Sequence, residues 1–398
     1  MPRNSFYLAA ALLAAFALPA FSAEEAKDPA AKPHPVLSAS DDFAFRLYGR
    51  LAREDGNVFF SPYSITVAMA MTMEGARGAT AAEMEKTLGL PPDTGARRKF
   101  FAQDTKFLGD VLGVEMANAF WAHRAHKFLS SYTRALKKYY RAEAFSADFS
   151  APEKARLEIN SWTSDRTHGK VPDLFQKDSL TELTRLVLVD AVYFKGSWAS
   201  AFDKARTAKA DFFPASGTAV RTDMMSLTGG RFNYLEADEL QVLELPYRND
   251  RMSMLLILPA QGGLKALEAE LSAGRVSAWR RDLSMEPVDI FLPRFTLNAR
   301  YNLRDVLSEM GMPSAFAMEA DFSGMDGKKD LYIQQAVHQG FVEVNEEGTE
   351  AAAATGVAMG LKSMPAPPAE FRADRPFLFL IQERGTGRVV FMGRVQKP

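Results

Sequence analysis

The run Leu186–Val–Leu–Val–Asp–Ala–Val–Tyr–Phe194 constrains this chain more than any other stretch. It is apolar except at Asp190 and shows no alternation of polar and apolar residues. Such a run reads as a strand covered on both faces, so the fold needs layers on either side of a sheet. Met252 to Leu258, closed by Pro259, is a second run of this kind, and Val288 to Leu292 is strand-like. Phe377–Gln382 and Val389–Arg394 flank the turn Arg384–Gly–Thr–Gly387 and predict a closing hairpin.

Helices are expected mainly before residue 170. Asp41 or Asp42 can cap a helix that places Phe43, Leu47 and Leu51 on one face. Ser61–Pro62 is a second helix start, and Tyr63 to Gly75 is apolar almost all round, as in a deeply buried helix. Glu153 to Arg166 predicts an amphipathic helix with Gly169 as its stop, and Asn302 to Gly311 returns to helix. Neither a repeat nor a clear linker divides the chain, so one mixed α+β domain is expected.

Hydrophobic residues make up 47% of the 398 positions, enough for a single large core. The formal net charge of −1 argues against nucleic acid as a partner. With no cysteine, disulfides, thiol nucleophiles and thiolate metal sites are excluded. His123 and His126 could share a helix face as a metal pair, but no third ligand is suggested, and neither metal nor cofactor is expected. The chain shows no G-x-S-x-G, H-E-x-x-H, P-loop or G-x-G-x-x-G, so the reading is not an enzyme; a dispersed Ser/His/Asp triad is the remaining enzymatic alternative. Lys137, Lys138 and Arg141 form only a weak basic cluster.

The N-terminus reads as an address. Arg3 precedes an apolar run from Phe6 to Leu18, and Pro19 to Ala23 offers small residues for cleavage. Residues 1–22 are read as a signal peptide cut after Ser22, with Ala23 as the second choice; 23–37 as a flexible leader; and 38–398 as the folded domain. The apolar run is short for a membrane span. The expected location is the periplasm or the medium, with no membrane contact after processing.

One stretch breaks local consistency. From Gly348 to Gly360 small residues dominate, and prolines crowd after Ser363. Ala351–Ala354 favours helix, whereas Gly348, Gly356 and Gly360 interrupt it, and a long surface loop is a further reading. Read with period two, Thr349, Ala351, Ala353, Thr355, Val357 and Met359 share one face of an extended strand. A strand of such small residues can slide between two existing strands where a bulky one would clash. Thr349 to Lys362 would span roughly 46 Å if extended.

Asn345–Glu–Glu–Gly–Thr–Glu–Ala–Ala–Ala–Ala354 resembles the hinge of serpins. Asn57–Ser64, Asn160–Thr163, Gly169–Phe175, Leu188–Trp198, Leu245–Tyr247, Leu292–Phe295, Ala320–Met325 and Phe371–Phe377 resemble other serpin stretches, in the family's order. The resemblance spans about residues 38–397. It implies three β-sheets, eight or nine helices and an exposed reactive-centre loop at about 346–368. It further implies a monomeric, metastable suicide-substrate inhibitor that a serine protease cuts, forming an acyl-enzyme before the loop inserts.

Carried over residue by residue, Glu346, Gly348, Thr349 and Glu350 begin the hinge, and Ala351, Ala352, Ala353 and Ala354 are its inserting body. The family spacing puts the bait bond at Lys362–Ser363, with Leu361, Ser363 and Met364 as alternatives. Lys362 suits a trypsin-like pocket; Leu361 and Met359 leave room for elastase-like or cysteine proteases. Trp198 matches a tryptophan near the top of the sheet. Ser61, Ser64 and His338 match the polar cluster that guards sheet opening. Asp190 departs from the family's usual asparagine, and a carboxylate buried there needs a partner. His338 is the candidate, and the pair would make opening sensitive to pH. A non-inhibitory serpin (substrate, carrier or chaperone-like binder) is the alternative within the family.

Overall fold

The computed structural model describes residues 34–237, 239–349 and 367–398. The first part carries α1 (Pro35–Leu51), β1 (Val58–Phe60), α2 (Pro62–Met73), α3 (Gly78–Leu88), α4 (Thr94–Asp110), β2 (Val114–His123), α5 (Ser130–Ala135), β3 (Glu143–Ala147) and α6 (Pro152–Arg166). Strands then take over with β4 (Leu186–Phe194), β5 (Gly196–Ser197), β6 (Ala208–Phe212), β7 (Val220–Ala237), β8 (Leu240–Pro246) and β9 (Met252–Pro259). After α7 (Leu264–Glu270) and α8 (Ala273–Asp282) come β10 (Ser284–Pro293), β11 (Phe295–Asn302), α9 (Leu303–Glu309) and α10 (Ser323–Asp326). The described chain closes with β12 (Gln335–Asn345), β13 (Gly348–Thr349), β14 (Ala369–Arg372), β15 (Phe377–Glu383) and β16 (Val389–Val395).

The seven-stranded sheet runs β3-β2-β4-β12-β13-β5, with β11 paired to β12. β4 is buried along its whole length, as its unbroken apolar run requires. Its two faces enter different cores. Leu188 and Val192 pack with α2, and Val187, Val189 and Ala191 pack with Ile159 of α6. α2 is itself buried at every residue, so it forms the floor under this sheet.

The remaining strands form a nine-stranded network, β1-β16-β15-β9-β8-β7-β10-β14, with β6 on β7. β7 runs for 18 residues and joins two parts of it. Near Met224 it pairs with β6 and β10, and beyond Asn233 it also pairs with β8. The β7–β10 register slips between Val288 and Ile290, opposite Gly229–Gly230, which lets the long strand bend. The three sheets implied by the serpin resemblance correspond to one separate seven-stranded sheet and a nine-stranded network whose two parts join through β7. β15 and β16 form the expected closing hairpin.

The start of α1 differs from the sequence expectation. His34 caps it, its Nδ1 accepting the Val36 N–H at 3.2 Å, and neither Asp41 nor Asp42 does. Pro35 at the first turn and the burial of Val36 and Leu37 extend the helix into what was read as leader. Residues 1–33, expected to hold a signal peptide and the rest of a leader, lie outside the described residues.

Asp41 instead sits inside α1, where its Oδ1 accepts the Val389 N–H at 3.1 Å. Burial pushes its carboxyl up to about 6, against the opposing pull of that N–H and of Arg280 and Arg388. The sign follows from the raised value. The folded state binds the extra proton between the ordinary 3.8 and about 6, so stability falls as pH rises through that window. The full swing is about 3 kcal/mol. Asp41→Asn should lack this component. Relative to wild type, it should gain by about that amount between pH 4 and pH 7 in urea unfolding, and parallel pH profiles would contradict the assignment.

Candidate site: a hinge at the head of a closed seam

β4 and β12 pair directly and in parallel from Val187↔Gln335 to Tyr193↔Phe341. Above that point the two strands part, and β13 lies between them. Thr349 pairs with Val344 of β12 on one side and with Gly196 of β5 on the other. The chain thus leaves β12, turns at Glu346–Glu347 and doubles back into the head of the seam.

Side chains from several elements hold this turn. Glu346 is buried, and Arg294 reaches both its carboxylate oxygens, with Nε at 2.8 and 2.9 Å. Thr207 Oγ1 donates to the same carboxylate. Burial opposes the charge on Glu346, but the bonds from Arg294 and Thr207 outweigh it and hold the carboxyl below its usual range. Trp198 donates from its backbone N to Glu347 O at 3.0 Å and from Nε1 to Asn345 O at 3.0 Å. Its ring stacks on Tyr247, with centroids 4.7 Å apart. Tyr247 OH in turn lies 2.8 Å from Thr349 Oγ1. Lys204 and Glu347 form a more exposed pair at 2.5 Å.

Gly348 has φ +146°, and an added Cβ would overlap the Gly196 carbonyl oxygen and stand 2.7 Å from Ser197 Cα. Only glycine fits between β12 and β5 at this point. Glu350, Ala351 to Ala354, Lys362 and Ser363 lie outside the described residues, as do Leu361 and Met364.

The polar cluster sits at mid-seam. His338 and Asp190 are register partners across β4 and β12, and His338 Nδ1 meets Asp190 Oδ2 at 2.9 Å. Ser64 Oγ donates to Asp190 Oδ1 at 2.5 Å. The Ser61 N–H donates to His338 Nε2 at 3.1 Å, and Ser61 Oγ donates to Val390 O at 2.7 Å. The Ser61 bond makes Nε2 an acceptor, which places the imidazole proton on Nδ1, facing Asp190. All four residues are at most 1% exposed. Strands in a sheet stand about 4.8 Å apart, so admitting another strand between β4 and β12 would roughly double their separation and break the His338–Asp190 bond.

This constellation does not suit hydrolysis. The Ser64 hydroxyl meets the carboxylate and the Ser61 hydroxyl a backbone carbonyl, so neither meets the imidazole, and all members are buried. His123 and His126 do not form a metal pair on a helix. His123 ends β2, its Nδ1 accepting the Ala125 N–H, and His126 lies in the loop beyond.

Partners invisible to sequence reasoning include Tyr301, whose ring lies against His338 and whose OH accepts the Phe59 N–H, and Asn118, the register partner of Asp190 on β2. Tyr247 lies inside one of the serpin-like stretches, but only the fold brings its hydroxyl to Thr349.

His338→Ala should lower the thermal midpoint markedly. It leaves Asp190 buried with Ser64 alone, which costs about 3–5 kcal/mol. Asp190→Asn should be mild. Its amide can accept from His338 Nδ1 and donate to Ser64 Oγ, so both bonds persist without the charge. Thermal midpoints across pH 5–8 for wild type and Asp190→Asn test pH-dependent opening, and superimposable curves would end that idea.

Residues 38–398 match the family described as serpin (serine protease inhibitor). An uncharacterized serpin-like protein of Thermococcus kodakarensis is 42% identical over 374 residues, covering 92% of this chain and 86% of its own. The leukocyte elastase inhibitor of Homo sapiens is 37% identical, covering 91% of this chain and 99% of its own. Human thyroxine-binding globulin, solved with its hormone, superposes with a TM-score of 0.84 at 33% identity, covering 91% of this chain and 98% of its own. Uncleaved ovalbumin gives 0.81 at 28% identity, covering 92% and 100%. The chain belongs to the serpin family.

Proposed function

We propose that this protein is an irreversible suicide-substrate inhibitor of serine proteases, directed at trypsin-like ones through Lys362–Ser363. The protease serine attacks the Lys362 carbonyl, expels the Ser363 amine and holds the chain as an acyl-enzyme. The freed segment then enters the β4–β12 seam behind Thr349, as serpin loops are known to add as strands. Distortion of the carried protease outruns hydrolysis of the ester.

The observation that carries the reading is the seating of Gly348 and Thr349 between β12 and β5, followed after Glu350 by the four alanines Ala351 to Ala354. Insertion would continue a pairing that has already begun. The likeness to leukocyte elastase inhibitors supports inhibition. A carrier role has the likeness to thyroxine-binding globulin behind it, and the small-residue hinge against it.

The test is incubation with trypsin followed by a denaturing gel. A covalent band of summed mass is expected, with a released peptide beginning at Ser363 in mass spectrometry. Cleavage without a retained band would remove the inhibitory reading, and a peptide beginning elsewhere would move the bait bond. Among the described residues no helix is long and apolar enough to cross a membrane. Export rests on the N-terminal pattern, and mature protein beginning at Ala23 would support it.

A further inference from the structure

Three donors from distant parts of the chain converge below the seam. His126 lies in the loop after β2, Asp326 ends α10, and Asp330 lies in the segment leading into β12. His126 Nδ1 stands 3.0 Å from Asp326 Oδ2 and 3.5 Å from Asp330 Oδ1. One atom from each of the three residues lies within 4.8 Å of the others. Donors about 2.1 Å from a shared ion stand about 3.0 Å apart at a right angle and about 3.4 Å apart at the tetrahedral angle. The two distances from His126 Nδ1 fall in that range.

The surroundings agree. The Asp326 side chain is 1% exposed, and among the described residues neither carboxylate has a lysine or arginine within ion-pair reach. Nearby Lys329 is engaged with Asp321. Two carboxylates therefore share one imidazole nitrogen. The donors are also held in place. Asp326 Oδ1 accepts the Lys328 N–H at 2.9 Å, which turns Oδ2 toward His126. The Leu129 N–H bonds Met325 O at 2.7 Å, tying the loop after β2 to α10 beside the site. Asp330 is 55% exposed, so one side of the trio is open to water, which can complete the shell.

We infer that His126, Asp326 and Asp330 form a binding site for a divalent first-row metal ion, with imidazole and carboxylate donors of the kind zinc accepts. The ion would join the segment leaving β2 to the segment entering β12, at the end of the seam opposite the hinge. The inference does not depend on whether the loop traps a protease.

The test uses the full chain, stripped with a chelator and titrated calorimetrically with Zn2+. Wild type should bind one ion and show a raised thermal midpoint. Asp330→Asn, at an exposed position that folding tolerates, should weaken binding at least about tenfold. His126→Gln should do the same. His123→Ala, which leaves the trio intact, should match wild type. Co2+ should give a visible absorption band in wild type that Asp330→Asn lacks. Failure of wild type to bind, or equal binding by Asp330→Asn and His126→Gln, would overturn the assignment.

Discussion

Mixed with trypsin, the Thr349→Arg variant is expected to be cut and to let the protease go. Thr349 is 1% exposed, wedged between β12 and β5, with its hydroxyl against Tyr247 OH. An arginine there would have to bury a long cation where, among the described residues, Thr349 meets only the Tyr247 hydroxyl by side-chain hydrogen bond, which costs several kcal/mol. On the proposed mechanism every later residue of the freed loop would enter the sheet behind this one, so displacing it from its seat would remove the start of insertion. Insertion would then lose its race with deacylation. The gel should show cleaved protein, no covalent band, and trypsin activity returning to its starting level. Cleavage should also raise the thermal midpoint of wild type, through the added strand, and leave that of the variant nearly unchanged. A covalent band as strong as that of wild type would refute insertion as the mechanism.

Gly348→Val should expel the hinge from the head of the seam before any protease is present. Its φ of +146° is closed to a β-branched residue, and its Cβ would overlap the Gly196 carbonyl oxygen. Neither neighbour can yield, because both are backbone. The readout is Trp198, which is 1% exposed and donates two hydrogen bonds to the turn at Asn345–Glu347. With the turn displaced, Trp198 emission should shift to the red, and the shift should vanish in a Trp198→Phe background. Unchanged emission and unchanged melting would mean that the pairing of β13 is not required for the native state.

Those two positions were legible in the sequence because their chemistry is local. A glycine followed by small residues reads as a strand able to slide, whatever surrounds it. The doubly covered strand Leu186–Phe194 and the all-round apolar helix after Ser61 were legible for the same reason: each declares its burial in its own residues. What escaped was set by register and distance. Arg294 reaches Glu346 because β10 ends beside the turn that follows β12, a relation across 52 positions. Asp41 looked like a cap until Val389, 348 positions away, supplied a better use for its carboxylate. The pairing of His126 with His123 followed from sequence proximity alone, whereas its partners Asp326 and Asp330 lie about 200 positions on. Asp190 and His338 were linked through family resemblance, and their facing one another across the seam required the strand register.

The β4–β12 contact has one more consequence. It is a parallel pairing, slightly weaker per residue than an antiparallel one. A chain doubling back from β12 enters this gap antiparallel to both walls, as Gly348 and Thr349 already do. Each further residue would exchange part of one weak ladder for rungs on two stronger ones. If the loop inserts as proposed, such a sheet would behave as a ratchet. Every rung gained would make retreat harder, so the molecule would fire once, and its capacity would be set by the number of copies present.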